Sequence, residues 1–308
     1  MSTYAPIYLF LVRVDLIGHL RLFLAFYYLL SSSRKIQNLA DSLILDCIVF
    51  LILERSKETV PSFWVPVTST SEWCEKNYEY SPYIAEFFNT ISNIPGMMLA
   101  MVGLMCSSKQ RFEKRFSVLY LSNLILAVWN LMYHATLHRL LQQSDETPVV
   151  WETLLYMYIL YSPDWHYRKT MPTFLILYGI VFAICHSCLQ FGIGIKVHFV
   201  IICLLSVPRM YKYYLYTEDL HAKRVAKLYA VTLVLGSLCW LFDRVLCNDS
   251  WLINPQGHAL WHVFMGLNAY LGNTFLMFCR GQQLRRNPKV VQWMGILPYV
   301  TTQKEKSL

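Results

Sequence analysis

Seven stretches of mainly apolar residues constrain this chain more than any motif does. Each approaches the roughly 20 residues that an α-helix needs to cross about 30 Å of hydrocarbon. They cover about 83–106, 116–137, 148–163, 171–190, 191–208, 225–243 and 257–279. In lipid a helix satisfies its own backbone polar groups, so seven such stretches predict an all-α polytopic membrane protein built as a seven-transmembrane helix bundle. Composition agrees: 56% of the 308 residues are hydrophobic, 15% aromatic and only 15% charged. That excludes a disordered or collagen-like chain. Nine scattered cysteines are too few for a disulfide scaffold, and the lone CxxC at Cys185 and Cys188 has no second such pair with which to form a zinc ribbon.

The net charge of +8 sorts by side rather than forming a patch for nucleic acid. Alternate links and the C-terminal tail carry seventeen Lys and Arg, among them Lys109, Arg111, Arg168, Arg209, Lys223 and Arg286. The other three links carry Arg139, Lys196 and Arg244 alone. Basic residues stay on the cytosolic side. The tail is therefore expected in the cytosol, and the chain just before Tyr83 on the lumenal or extracellular side.

Three regions follow. Residues 1–65 are expected as an apolar, membrane-associated extension of unassigned role. The run 4–30 is broken by Arg13, Asp15, His19 and Arg21, the run 43–53 is too short to span, and the opening lacks a signal peptide's basic start. Residues 66–285 hold the bundle, and 286–308 form a basic cytosolic tail.

Ionisable groups inside spans are costly and mark function. In GHALWHVFMG, His258 and His262 are four apart, so one helix face presents both about 6 Å apart along the axis. His134, near the end of the second span, reaches the same lumenal depth, because that span runs opposite to the last. Three histidines can hold zinc and leave a position open for water. The same topology puts Asp145 in the lumenal link after the second span, while His138 reads as a helix-end residue. Upstream, SEWCEKNYEYSPYIAEFFNT carries Glu72, Glu75, Asn77, Glu79 and Glu86, a set that suits either calcium or an acidic helix cap. Asp243 is expected either to orient a zinc histidine or to pair with Arg244. Cys74 and Cys247 both fall on the lumenal side, where a disulfide persists.

Four strings in order, EWCEKNY with IAEFFNTISN, YHATL followed by Asp145, FDRVLC and GHALWH, resemble the alkaline ceramidases over about residues 72–280. Those are seven-helix membrane hydrolases of the endoplasmic reticulum, Golgi or plasma membrane that cut the amide of ceramide. The resemblance implies a catalytic Zn²⁺ on His134, His258 and His262, with Asp145 as the catalytic acid. It also implies a structural or regulatory Ca²⁺ on Glu72, the Trp73 carbonyl, Glu75, Asn77 and Glu86, and a Cys74–Cys247 disulfide. Ceramide within the bilayer is the implied partner, and no protein partner is inferred.

Two positions depart from the family. Glu72 stands where Asp is usual, and Asn130 stands where a catalytic Ser is expected, one turn before His134. An Asn amide can donate to a developing oxyanion, so hydrolysis to a sphingoid base and a fatty acid is expected. Asn is also bulkier than Ser, and the alternative is a catalytically impaired sphingolipid-binding or receptor-like member. A receptor of the progestin and adiponectin type fits the spacing less well. A transporter is disfavoured because the polar residues converge at one depth.

Overall fold

The computed structural model describes residues 63–64, 67–71, 73–189, 192–247, 256–293 and 295–302. The expectation for residues 1–65 therefore lies almost wholly outside the described residues, as does Glu72. A short helix α1 (Phe87–Ile91) leads into α2 (Asn93–Lys109), followed by α3 (Lys114–Thr136), α4 (Arg139–Tyr161), α5 (Trp165–Leu189), α6 (Gly192–Tyr216), α7 (Leu220–Leu246) and α8 (Gly257–Gln283). Pro95 sits in the first turn of α2, where a missing N–H leaves no intrahelical bond unmade. Five of these units are long and apolar enough to cross a membrane: α1 with α2, α3, α5, α6 and α7. Neither α4 nor α8 meets that standard, and these two helices hold much of the polar interior described below.

α8 runs through the middle of the bundle with Leu267, Leu271, Phe275 and Phe278 buried against Leu119 and Phe116 of α3, Ile159 of α4 and Val225 of α7. Its approach to α2 is set by two glycines. A Cβ on Gly266 would stand 2.7 Å from the Gly96 Cα, so only bare backbone fits at this crossing. α5 packs through Leu175 and Phe182 onto Val150 and Leu154 of α4 and Ile202 of α6.

Two expected boundaries change. The link after α3 is only Leu137, in the left-handed region at φ 52°, and His138, which caps α4. α4 thus begins nine residues before the expected span, and Asp145 lies on a helix rather than in a link. The polar start of α4 is helical because its side chains find partners. Gln142 bonds Thr70, Ser71 and Glu146, and Glu146 meets His186 Nε2 of α5 at 2.8 Å. The segment expected only as a basic tail folds in part as a hairpin, β1 (Lys289–Trp293) with β2 (Leu297–Thr301), pairing Val290 with Val300. Val300 is buried in the bundle core, and the Tyr270 hydroxyl donates to the Pro298 carbonyl at 2.8 Å.

A buried three-histidine site

Three chain segments meet at one end of the bundle. The segment before α1 lies across the end of α3: the Glu86 N–H donates to the His134 carbonyl at 3.0 Å and the Ala85 N–H to the Ala135 carbonyl at 2.9 Å. That pairing fixes Glu86 beside His134. Its Oε2 lies 2.5 Å from His134 Nδ1 and accepts the Asn89 amide N–H at 2.9 Å. With Nδ1–H donating to the carboxylate, the His134 Nε2 lone pair faces the cluster.

α8 supplies the other two histidines. A Cβ on Gly257 would lie 2.6 Å from the Cys239 carbonyl of α7, so glycine lets α8 start hard against α7. Asp243 of α7 then accepts the backbone N–H of His258 at 3.1 Å and that of Cys74 at 3.3 Å. Asp243 therefore acts on the His258 backbone, and the charge of Arg244 lies within its electrostatic reach. Arg244 also places its guanidinium 5.2 Å from the Trp73 ring centre, and Trp73 stacks on the His258 imidazole at 3.3 Å between centroids. A Cys74–Cys247 disulfide holds the Trp73 segment to the end of α7.

The outcome is that His134, His258 and His262, all buried, each bring one nitrogen within 4.8 Å of the others. His258 Nε2 and His134 Nε2 are 3.4 Å apart. Two nitrogens at about 2.05 Å from a tetrahedral zinc stand about 3.4 Å apart, so the His134–His258 pair has the spacing of that ion. His258 Nδ1 and His262 Nε2 have no hydrogen-bond partner.

Asp145, on α4, is buried with Oδ1 unpartnered, and lies within electrostatic range of Tyr133, as does Glu86. Asn130 sits one turn before His134, and its Oδ1 accepts from the Asn93 amide at 3.2 Å. Engaging the oxygen leaves the Asn130 NH₂ as the donor available to the cavity of about 170 Å³ that Asn130 and His262 both line. Asn93 is itself bonded to the Asn89 carbonyl at 2.9 Å, so a polar ladder runs from Glu86 to Asn130.

Of the expected calcium set, Glu75 is buried and its two oxygens accept the Phe88 and Asn89 N–H groups at 2.7 and 2.8 Å, capping α1. Burial, reinforced by the charge of Glu86, pushes the Glu75 carboxyl well above the usual carboxylate range. Trp73 is half-buried and Asn77 exposed. Sequence reasoning missed the Glu86–His134 bond, the Trp73 stack and the Asn89–Asn93 ladder. One signal for the first was available: a ligating imidazole needs an acceptor on its other nitrogen, and IAEFFN offers a lone acid in an apolar setting.

The fold and this cluster define a multi-helix membrane protein with a buried metal-competent centre. A family model described as Ceramidase matches residues 65–301. The chain is 65% identical over 250 residues to the alkaline ceramidase of Arabidopsis thaliana, covering 80% of this chain and 98% of that protein. It is 28% identical over 262 residues to alkaline ceramidase 3 of Mus musculus, covering 79% and 96%. To the alkaline ceramidase of Drosophila melanogaster it is 30% identical over 218 residues, covering 67% and 75%. The chain belongs to the alkaline ceramidase family.

Proposed function

We propose that this chain crosses the membrane seven times and hydrolyses the N-acyl amide of ceramide to a sphingoid base and a free fatty acid, with zinc on His134, His258 and His262. The observation that carries the proposal is the convergence of three buried imidazoles, with His258 Nε2 3.4 Å from His134 Nε2. Bound zinc supplies Lewis acidity and draws the pKa of water toward about 7.

The chain's own groups do the rest. Glu86 holds the His134 ring in one tautomer. The Asn130 amide, oriented by Asn93, donates toward the oxygen that gains charge when the amide carbonyl is attacked. Asp145 Oδ1 takes the proton released by water and returns it to the departing amine, so that water and amide become acid and amine. Calcium is our second assignment, beside α1. Glu75 and Glu86 are buried carboxylates that repel one another, a tension that a divalent cation would relieve, and Trp73 and Asn77 lie on the same irregular segment.

Sphingoid base release from a panel of ceramides by purified protein, beside an Asn130→Ser variant, tests the reading. Turnover by the native chain that a zinc chelator abolishes is the expected result. Turnover appearing only in the variant would favour a lipid-binding member disabled at Asn130, and turnover in neither would remove the hydrolase assignment.

A further inference from the structure

The cavity below His262 carries amide side chains at both ends, and Glu152, Tyr156 and Asn268 are also among its lining residues. At the histidine end it is lined by His262 and Asn130, along its middle by Ala127, Gly266 and Ala269, and at the far end by Asn123 and Asn273. α3 and α8 run antiparallel, with the Tyr120 hydroxyl 3.3 Å from Thr274 Oγ1. Asn123 lies eleven residues before His134, and Asn273 eleven after His262. At a rise of 1.5 Å per residue both sit about 16 Å below the histidines, on opposite walls at one level.

These two amides are unlike Asn268 and Tyr156, which line the same cavity. The Asn268 amide donates to the Tyr229 carbonyl at 2.7 Å, and the Tyr156 hydroxyl donates to Met210 Sδ at 3.2 Å. Asn273 is 0% exposed, yet among the described residues neither its Nδ2 nor its Oδ1 has a partner, and Asn123 Nδ2 has none. A buried amide left this way is costly, and an aliphatic residue would pack the same wall without the cost. The Asn273 amide offers a donor and an acceptor side by side, which match one hydroxyl group, and Asn123 Nδ2 adds a second donor at the same level.

Accepting the hydrolase reading above, we propose that Asn123 and Asn273 form a second subsite that binds a hydroxyl carried far along the hydrocarbon chain of a lipid amide. A staggered chain with bonds of about 1.5 Å at tetrahedral angles advances about 1.25 Å per bond, so 16 Å is about 13 bonds from the amide. The subsite therefore selects amides of mid-chain or terminally hydroxylated acids over their plain counterparts, and over isomers hydroxylated beside the carbonyl. Ordered water on the same amides is the competing occupant, and it would confer no such selection.

The test uses the full chain in mixed micelles with three amides of one sphingoid base: octadecanoyl, 2-hydroxyoctadecanoyl and 12-hydroxyoctadecanoyl. Both kcat/KM and equilibrium binding, by native mass spectrometry, are measured on the same preparations. The native chain is expected to favour the 12-hydroxy amide by about fivefold to tenfold in both readouts, the yield of one hydrogen bond. In Asn273→Leu the ratio falls to about one, and in Asn123→Leu it falls partway.

A native ratio near one, or a preference that survives Asn273→Leu, overturns the subsite. Should the leucine variants fail to fold, the native ratio of the 12-hydroxy to the 2-hydroxy isomer decides, since the two differ only in where the hydroxyl sits. Preferential binding of the 12-hydroxy amide without turnover of any amide would sink the hydrolase reading and leave the subsite standing.

Discussion

α5 and α6 turn Phe174, Ile176, Leu177, Val200 and Leu204 outward, each more than half exposed. The end of α3 and the length of α8 turn His134, His258, His262, Asn268 and Asn273 inward, none more than 7% exposed. The outer pair has the residues that lipid rewards and needs little else. The inner pair holds polar groups that lipid penalises, and each must be answered by a neighbour or a ligand. Glu86 answers His134, Asp243 answers the start of α8, and the Tyr229 carbonyl answers Asn268. Among the described residues, the atoms left unanswered include His258 Nδ1, His262 Nε2 and Asp145 Oδ1 around the proposed centre, and the Asn273 amide at the far end of the cavity.

If that contrast is right, substitutions should separate sharply by side. The largest effect is expected from His258→Ala, which should take ceramide turnover to the uncatalysed level and abolish zinc retention, read by metal analysis of the purified protein. Next, Asn130→Leu removes the donor that Asn93 orients. By analogy with the loss of one oxyanion donor elsewhere, kcat should fall by about 10²–10³ with little change in KM, measured under saturating substrate. Asn130→Ser in the same assay separates loss of a donor from relief of crowding.

Glu86→Gln keeps the shape of the His134 partner but not its charge. Zinc affinity, titrated against a competing chelator, is expected to drop by about 10–100-fold. Replacing Cys74 and Cys247 together by Ser opens the link between the Trp73 segment and α7. Thermal unfolding in detergent should show a loss of roughly 2–4 kcal/mol, without loss of the zinc ligands themselves. The smallest effect belongs to the outer pair: Leu177→Ala, facing lipid, should shift stability by no more than about 0.5 kcal/mol and leave turnover unchanged. A large effect there would break the contrast.

The same division explains what the sequence made legible. Apolar runs located α2, α3, α5, α6 and α7, because hydropathy reads the surface that faces lipid. The run at 257–279 matched α8 closely, yet α8 fails a strict apolarity test because it holds the site. The start of α4 was read as a link since Gln142, Asp145 and Glu146 look like loop residues. They are helical because Thr70, Ser71 and His186, distant in sequence, bond them. Opposed helix directions alone bring His134 level with His258 and His262.

The Glu86–His134 bond was not legible in this way, because it depends on backbone pairing between the segment before α1 and the end of α3. Asp243 accepts the His258 N–H, a bond set by how Gly257 lets α8 abut α7 and so not legible from spacing. The hairpin at 289–301 escaped notice because two five-residue strands carry little pattern of their own. Packing of Val300 against α8 and its neighbours gives them a place.

The central claim is that the buried histidines form a hydrolytic metal centre. Its most direct measurement titrates the purified full-length chain with a chelator, while zinc content and sphingoid base release are followed in the same samples. The account predicts one zinc per chain, turnover that falls in proportion to zinc lost, and recovery when zinc is returned. Undiminished ceramide hydrolysis by protein stripped of zinc would contradict it, as would a chain that binds zinc stoichiometrically at these histidines and hydrolyses no ceramide.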